Sequence, residues 1–404
     1  MKKIVIIGGG FGGVYSAKCL LKHCKNEKVA LISDKNYFLF TPLLHEVATG
    51  AQNRHNVVLE IREFFKQKNF EFINSQVSEI DFNKKSILIN EGKLNYDILI
   101  LAIGSQSNFF NIKGADIYSI PLKNIHDVTK IRNKIILSLE KASITNDDSL
   151  TTFAIVGGGP TGVELAGELS EFVEELSNVY KKINKSKVKI YIIQRSNRFL
   201  DFLTDNKSSE LALQELRKKG VLILSNSAVT EVTEDSVIIN NKTKIKTKNI
   251  FWAAGVKPNT IKTIPKITNE KGFYEVNEFF EVKNVRDVYA IGDCALNFNP
   301  GSEKPNQLTA QLATKQAHHL AKNLSLKLKN KSQIPFIFKP AGFLVSVGSW
   351  WAIAELNNMV FRGIFAWWLW RTIYLSKIIG IKNKIRVGVE WFLLLFSKRD
   401  GSEI

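Results

Sequence analysis

"KKIVIIGGGFGGVYSAKCL" (residues 2–20) decides the fold. A short β-branched run of the kind that is buried on both faces leads into glycines, and a helical pattern follows. Gly8, Gly10 and Gly13 fit G-x-G-x-x-G. The first glycine permits a tight turn, the second lets backbone approach a pyrophosphate, and the third lets helix and strand pack closely. The helix N-terminus then presents unpaired N–H groups to the phosphates. A second strand, "KVALIS" (28–33), ends at Ser33 and Asp34, placed to bond a ribose hydroxyl. The pattern recurs at "TFAIVGGGPTGVELAGELSE" (152–171), with Gly157, Gly159 and Gly162, and its next strand ends at Gln194 and Arg195. Two dinucleotide folds in one chain imply two dinucleotides, a flavin and a nicotinamide, with hydride passing between them. "DVYAIGDCA" (287–295) supports the flavin, since Asp293 after a strand can accept from ribityl hydroxyls. "YDILILAIGS" (96–105) and "NIFWAAGVKPN" (249–259) read as the closing strands of the two domains.

Composition limits the alternatives. The 404 residues suffice for two or three domains, and 45% apolar residues is ordinary for a globular chain. "MKK" runs directly into the first strand with no cleavage pattern, so a cytosolic start is expected. Three cysteines make no disulfide framework. Cys19 and Cys24 fall on the first helix, where five residues turn through about 500°, so they should face different ways and serve packing. The net charge of +18 comes partly from exposed-looking runs such as "KKINKSKVK" (181–189) and "NKTKIKTKN" (241–249). No recognition-helix or zinc-finger signature is present, and nucleic acid is not an expected partner. His318 and His319 are adjacent on a helix and cannot share a metal from one face; His45 has no evident partner, and no metal site is expected.

Residues 361–399 are different. Arg362, Arg371, Lys377, Lys382, Lys384, Arg386, Lys398 and Arg399 stand against one acid, Glu390, among many aromatics. "GIFAWWLW" (363–370) and "WFLLLF" (391–396) are too short to cross a bilayer. They read as an interfacial anchor on anionic lipid, with Arg371 and Lys377 marking a wet side.

With these features the sequence closely resembles the type II NADH dehydrogenases, single-subunit membrane flavoproteins that reduce quinone without pumping protons. The specific segments are "NYFLFTPLLHEVATG" (36–50), "GSQSNFFNIKG" (104–114), "PLKNIHDVTKIRNKI" (121–135), "LTAQLATKQAHHLAKNL" (308–324) and "GFLVSVGSWWAIAEL" (342–356), with the basic Trp-rich tail. The resemblance implies an α/β fold of two Rossmann-like dinucleotide-binding domains, one inserted in the other, plus a C-terminal amphipathic helical membrane-binding segment. Residues 1–115 and 260–335 would bind non-covalent FAD, 116–259 would bind NAD(P)H, and 336–404 would form the membrane and quinone segment. By the same resemblance Asp293 bonds the ribityl chain, Thr41 and Pro42 lie beside the flavin, Glu164 stands near the nicotinamide–flavin contact, and Gln311 belongs to the quinone pocket. The implied location is peripheral, on the cytoplasmic face of the cell inner membrane; a homodimer is left open.

The chain departs from the family pattern in four places. Lys315 occupies a quinone-site glutamine position, with Gln316 one later. Ala102-Ile103-Gly104 lacks a hydroxyl where the family has Ala-Thr-Gly. The ribose acid of the first site is displaced to Asp34. Gln194, beside Arg195, replaces the acid that repels the 2′-phosphate of NADPH, so NADH use with tolerance of NADPH is expected. Rival readings are a sulfide:quinone oxidoreductase or a dithiol reductase, both lacking the needed cysteine pair, and a flavin-bearing membrane redox sensor or adaptor.

Overall fold

The computed structural model describes every residue except Asn146, Thr204, Asn357, Asn358 and Ile404. The chain divides into two compact units, each assembled from three stretches.

The first unit comprises Met1–Leu39, Val58–Gln106 and Val256–Pro340. Its centre is a parallel sheet in the order Val288–Ala290, Ile98–Leu101, Lys3–Ile7, Lys28–Ser33, Phe70–Asn74. Ile4, Val5, Ile6, Leu99 and Ile100 have no exposed surface. Such two-sided burial is why these strands read as unbroken apolar runs. Helix Phe11–His23 packs on helix Ala310–Leu328. On the sheet's other side lies an antiparallel meander, Val77–Asp81, Ser86–Ile89 and Gly92–Asn95, whose Ile80 and Ile87 join Val5, Ile32, Leu99 and Tyr274 in one core. Each fully buried aliphatic there contributes roughly 1.5–3 kcal/mol.

The second unit comprises Phe40–Val57, Ser107–Gly255 and Ala341–Ile404. Its parallel sheet runs Ile120–Pro121, Asn249–Trp252, Thr152–Val156, Lys189–Ile193, Val221–Leu224. A meander of Val229–Thr233, Ser236–Ile239 and Thr243–Lys246 covers one face. Helix Ile125–Ala142 starts on a capping box in which Asn124 and Asp127 bond each other's backbone. Helix Pro160–Val179 follows the second glycine turn. Gly167 in that helix lies against the backbone of Val347 and Gly348: an added Cβ would stand 2.5 Å from the Gly348 nitrogen. This close approach docks the antiparallel sheet Gly342–Ser346, Ala352–Leu356, Met359–Gly363. Helices Ile364–Lys377 and Ile381–Leu393 complete the unit. The tail is strapped down by Arg132, which reaches the Asp400 carboxylate at 2.9 Å and donates to the Ser402 carbonyl.

Several expected details move. Both units are discontinuous where only the first was expected to be, and residues 40–57, expected in the first domain, make their contacts in the second unit. Their helix Leu44–Ala48, buried throughout, packs on helices Ile125–Ala142 and Pro160–Val179. The C-terminal segment also belongs to the second unit, from Ala341 onward. Cys19 and Cys24 are free, buried thiols, yet both face helix Ala310–Leu328. Cys19 Sγ lies 3.1 Å from His318 Nδ1, and Cys24 Sγ approaches the Ala321 carbonyl. Helical rotation did not separate them because Cys24 is the C-cap, with φ −120° and ψ 54°, where helical geometry has ended.

Candidate active site

Both glycine turns are built on one plan at the C-terminal edge of a parallel sheet. Gly8 has φ +116°, and a Cβ there would stand 2.2 Å from the Ala102 carbonyl oxygen. A Cβ on Gly13 would lie 1.7 Å from the Gly8 oxygen, so the helix start sits directly on the turn. Around Gly10 the situation reverses: an added Cβ would meet nothing within 4 Å. That open cradle lies at the start of helix Phe11–His23, whose N-cap Gly10 offers no side-chain cap and whose first turn holds no acid. The N–H groups there are available to a pyrophosphate. Gly157, Gly162 and Gly159 repeat the three roles: added Cβ atoms would stand 2.4 Å from Ala253 O, 1.9 Å from Gly157 O, and in open space.

Around the first turn, Ser33 closes its strand, buried, and Asp34 follows it, exposed. Asp293 sits in a 3-10 turn, Gly292–Cys294, just beyond strand Val288–Ala290. Ser105 Oγ donates to its carboxylate at 2.6 Å, and Gln316 Oε1 accepts the Gly292 N–H at 2.7 Å. A phosphate cradle, a ribose-side acid and a held carboxylate at neighbouring strand ends fit FAD. Gln311 is near the start of helix Ala310–Leu328, which Thr309 caps. Lys315 donates its ammonium to the Lys339 carbonyl at 2.6 Å and lies over the Phe338 ring. Thr41 and Pro42 form a 3-10 turn in the second unit.

At the second turn, Gln194 is tied on both sides. Its Oε1 accepts the Gly158 N–H at 2.9 Å, and its Nε2 donates to Ser196 Oγ and the Arg198 carbonyl. Arg195 is exposed beside it.

Four glutamates of helix Pro160–Val179 form a group that the sequence reading saw only as Glu164. Glu164, Glu168, Glu171 and Glu175 follow the i, i+4, i+7, i+11 spacing of one helix face. Glu164 is not a dipole-stabilised surface acid. Its burial, reinforced by nearby Glu46, raises its carboxyl well above the ordinary range despite a contact from Ser346 N–H. Burial and the charge of Arg399 push His45 down to about 3. At neutral pH His45 is therefore uncharged where its Nδ1 lies 3.7 Å from the Glu164 carboxyl. That approach gives His45 the neighbour its sequence context did not show. Glu46 accepts from the Trp391 indole at 2.7 Å, and burial, then Glu168, push it up to about 8. Arg399 pairs with Glu168 at 2.9 Å, Glu171 at 2.5 Å and Glu175 at 3.7 Å. Burial would raise Glu171, but Arg399 and Lys219 outweigh it and hold it low. Glu46 and Glu168 were not singled out, and Arg399, expected among the lipid-facing cations, is instead buried against the glutamates, because their partners lie far off in the chain. The glutamate spacing was the one available signal.

The C-terminal helices divide their faces. Trp367, Trp370 and Trp391 are buried. Arg371 is stacked between Trp367 and Trp391, 3.8 and 5.0 Å from their ring centres, so it does not mark the expected wet side. A cation's attraction to indole faces keeps it inside the aromatic layer. Ile381, Ile385, Val389, Phe392 and Phe396, at helical spacing, form an exposed apolar stripe, and Ile364, Phe365 and Trp368 of the preceding helix are exposed as well. Among the described residues no helix is long and apolar enough to cross a membrane, and no cluster of three potential metal ligands occurs.

Comparison with known proteins agrees with this anatomy. Residues 2–317 match the pyridine nucleotide-disulphide oxidoreductases, and 341–400 match the NDH2 C-terminal domain. A probable NADH dehydrogenase of Dictyostelium discoideum is 32% identical, with 99% of this chain and 91% of the relative covered. A type II NADH:quinone oxidoreductase of Haemophilus influenzae is 30% identical, with 96% of each covered. The structure of NDH2 from Plasmodium falciparum in complex with NADH superposes with a TM-score of 0.89 at 26% identity over 99% of both chains. The sulfide:quinone oxidoreductase of Aquifex aeolicus shares the fold, with a TM-score of 0.76 at 20% identity over 95% of this chain and 92% of that one. Two glycine-turn folds, an apolar-faced C-terminal helix pair and full-length similarity together place the chain: it belongs to the pyridine nucleotide-disulphide oxidoreductases and, among them, to the type II NADH:quinone oxidoreductases.

Proposed function

We propose that this protein oxidises NADH and reduces a quinone through bound FAD while lying on a membrane surface. The observation that carries the proposal is the pairing of two complete glycine cradles with a C-terminal helix pair whose apolar stripe faces outward. When bound, FAD supplies the two-electron relay between nicotinamide and quinone. The Gly10 cradle and the N-terminus of helix Phe11–His23 take its pyrophosphate, Asp34 or Ser33 its ribose, and Asp293 its ribityl chain. Thr41 and Pro42 are retained as flavin neighbours. The Gly159 cradle takes the pyrophosphate of the nicotinamide nucleotide, with Gln194 and Arg195 at its adenosine ribose. An amide there does not repel a 2′-phosphate as a carboxylate would, which supports tolerance of NADPH. Positioning dominates this chemistry, so no single acid–base side chain need carry it. Gln311 is assigned to the quinone head group. Lys315 is the weaker candidate, because the Lys339 carbonyl already engages its ammonium. Glu164 is assigned as an uncharged acid beside the reacting groups.

The exposed stripe and its flanking cations, Lys382, Lys384 and Arg386, suit an anionic leaflet. They support a peripheral position, which we assign to the cytoplasmic face of the cell inner membrane. The test is purification in detergent, release of the flavin by acid precipitation, and assay of NADH and NADPH against a short-chain quinone. Intact FAD in the supernatant and quinone turnover are expected. A flavin-loaded protein that oxidises NADH with ferricyanide but never reduces quinone would instead be a redox sensor or adaptor.

A further inference from the structure

The glutamate row leads somewhere. Side-chain exposure falls along helix Pro160–Val179 from 34% at Glu175 to 16% at Glu171 and 6% at Glu168, with Glu164 at 10%. Eleven residues of helix span about 16 Å. The row therefore runs from solvent to the interior of the second unit. Beside it lies a cavity of about 80 Å³ whose walls include Glu46, Glu168, Glu175, Trp367, Arg371 and Arg399. A water needs roughly 10–15 Å³ of such space and two or more polar partners, so the cavity has room and partners for several. Trp350, 46% exposed, stands at its rim.

The reaction on which this inference rests, NADH to quinone, has a proton to place. Hydride leaving NADH accounts for two electrons and one proton. Forming quinol from quinone takes two electrons and two protons. The balance, NADH + H⁺ + quinone → NAD⁺ + quinol, draws one proton from solvent in each turnover. We propose that the cavity and glutamate row are the port for that proton, taken up at Glu168 and Glu46 and passed inward to Glu164.

The charges around the port are graded in the direction this requires. At the outer end Arg399 and Lys219 outweigh burial and keep Glu171 ionised, so it holds no proton of its own. Further in, Glu46 lies near Glu164, Glu168, Arg371 and Arg399, and Tyr374 stands near Glu164. Burial there outweighs the cations and favours the protonated acids. The row thus passes from an ionised acid outside to acids that favour the proton inside. Glu390, on the same helix as Trp391, does not compete: it accepts from Asn53 N–H and from the Asn56 amide. His45, neutral and with Nδ1 3.7 Å from Glu164, has a second ring nitrogen with no hydrogen-bond partner among the described residues.

The test uses the full chain loaded with FAD. Reduction of ferricyanide by NADH releases a proton and takes none up, so it bypasses the port. Glu168→Gln should lower kcat for a short-chain quinone at least tenfold and leave the quinone KM and the ferricyanide rate within about twofold. Its solvent deuterium isotope effect should rise, and its pH profile should shift from that of the wild type. Glu168→Asp should restore most of the turnover. Glu168→Gln leaves Arg399 one partner short and could fold poorly, so Glu46→Gln is the second variant. Its amide oxygen still accepts from Trp391, and the same pattern is expected. Wild-type quinone kcat and pH profile in both folded variants would overturn the port. So would a ferricyanide rate that falls in step with the quinone rate, which marks a structural role. A wild type that reduces ferricyanide but no quinone would overturn the underlying functional reading instead.

Discussion

Gln194 does two things at once. It holds the second glycine turn by accepting the Gly158 N–H, and it leaves the ribose end of the strand uncharged. A glutamate there keeps the acceptor, loses the donor to Ser196 and the Arg198 carbonyl, and sets a negative charge where a 2′-phosphate would lie. Gln194→Glu should therefore lower kcat/KM for NADPH relative to NADH by about tenfold, which corresponds to roughly 1.4 kcal/mol. Steady-state assays with both nucleotides check this; an unchanged ratio would show that Gln194 does not set the choice. Asp293 offers a second test. Asp293→Ala removes the proposed acceptor for ribityl hydroxyls and the carboxylate that Ser105 Oγ donates to. The FAD-to-protein ratio after gel filtration should drop several-fold while the far-ultraviolet circular dichroism stays unchanged.

At the scale of elements, the C-terminal helices are the most informative. Their aromatic richness suggested an anchor, and the structure divides it into an inward layer and an outward stripe. Trp367, Trp370 and Trp391 pack inside with Arg371 between them, whereas Ile385 and Phe392 are exposed. Deleting residues 361–404 would remove the membrane stripe, but also the Trp391 bond to Glu46 and the Arg399 pairs, so lost activity would be ambiguous. Substitution on the stripe separates the two. Ile385→Glu with Phe392→Glu should release the protein from anionic vesicles in a flotation assay and slow turnover of long-chain quinone. NADH–ferricyanide activity should remain within about twofold, since neither side chain packs inside. A doubly substituted protein that still floats with vesicles would sink the anchor assignment.

For the whole molecule, the buried acids predict how stability follows pH. Glu46 is pushed from the ordinary carboxyl range up to about 8 in the folded state. Below about 4.5 it is protonated whether the chain is folded or not, and its contribution is fully present. As pH rises from there through 8, the unfolded chain releases the proton first, and stability is lost. Glu164 and Glu168 act in the same direction. His45 acts oppositely: its depressed folded value costs stability as pH falls below about 6.5. Glu46→Gln cannot ionise. Its Tm relative to wild type should therefore climb as pH goes from 5 to 8.5, measured by differential scanning fluorimetry. A pH-independent difference would show that Glu46 does not titrate in this window.

The sequence alone determined what is local. Glycine spacing, strand hydrophobicity and the following helices established two dinucleotide folds, because turn geometry and helix–strand packing are set within about twenty residues. The strand ends that carry Asp34, Gln194 and Asp293 were legible for the same reason. The tertiary structure decided whatever depends on chain segments meeting from afar. It assigned residues 40–57 to the second unit, turned Cys24 onto the same helix as Cys19, and drew Arg371 between two indoles. It brought His45, Glu46 and Arg399 to the glutamate row, from opposite ends of the chain. Burial raises or lowers the proton affinity of such groups only after folding has removed water, and no spacing along the chain records that removal.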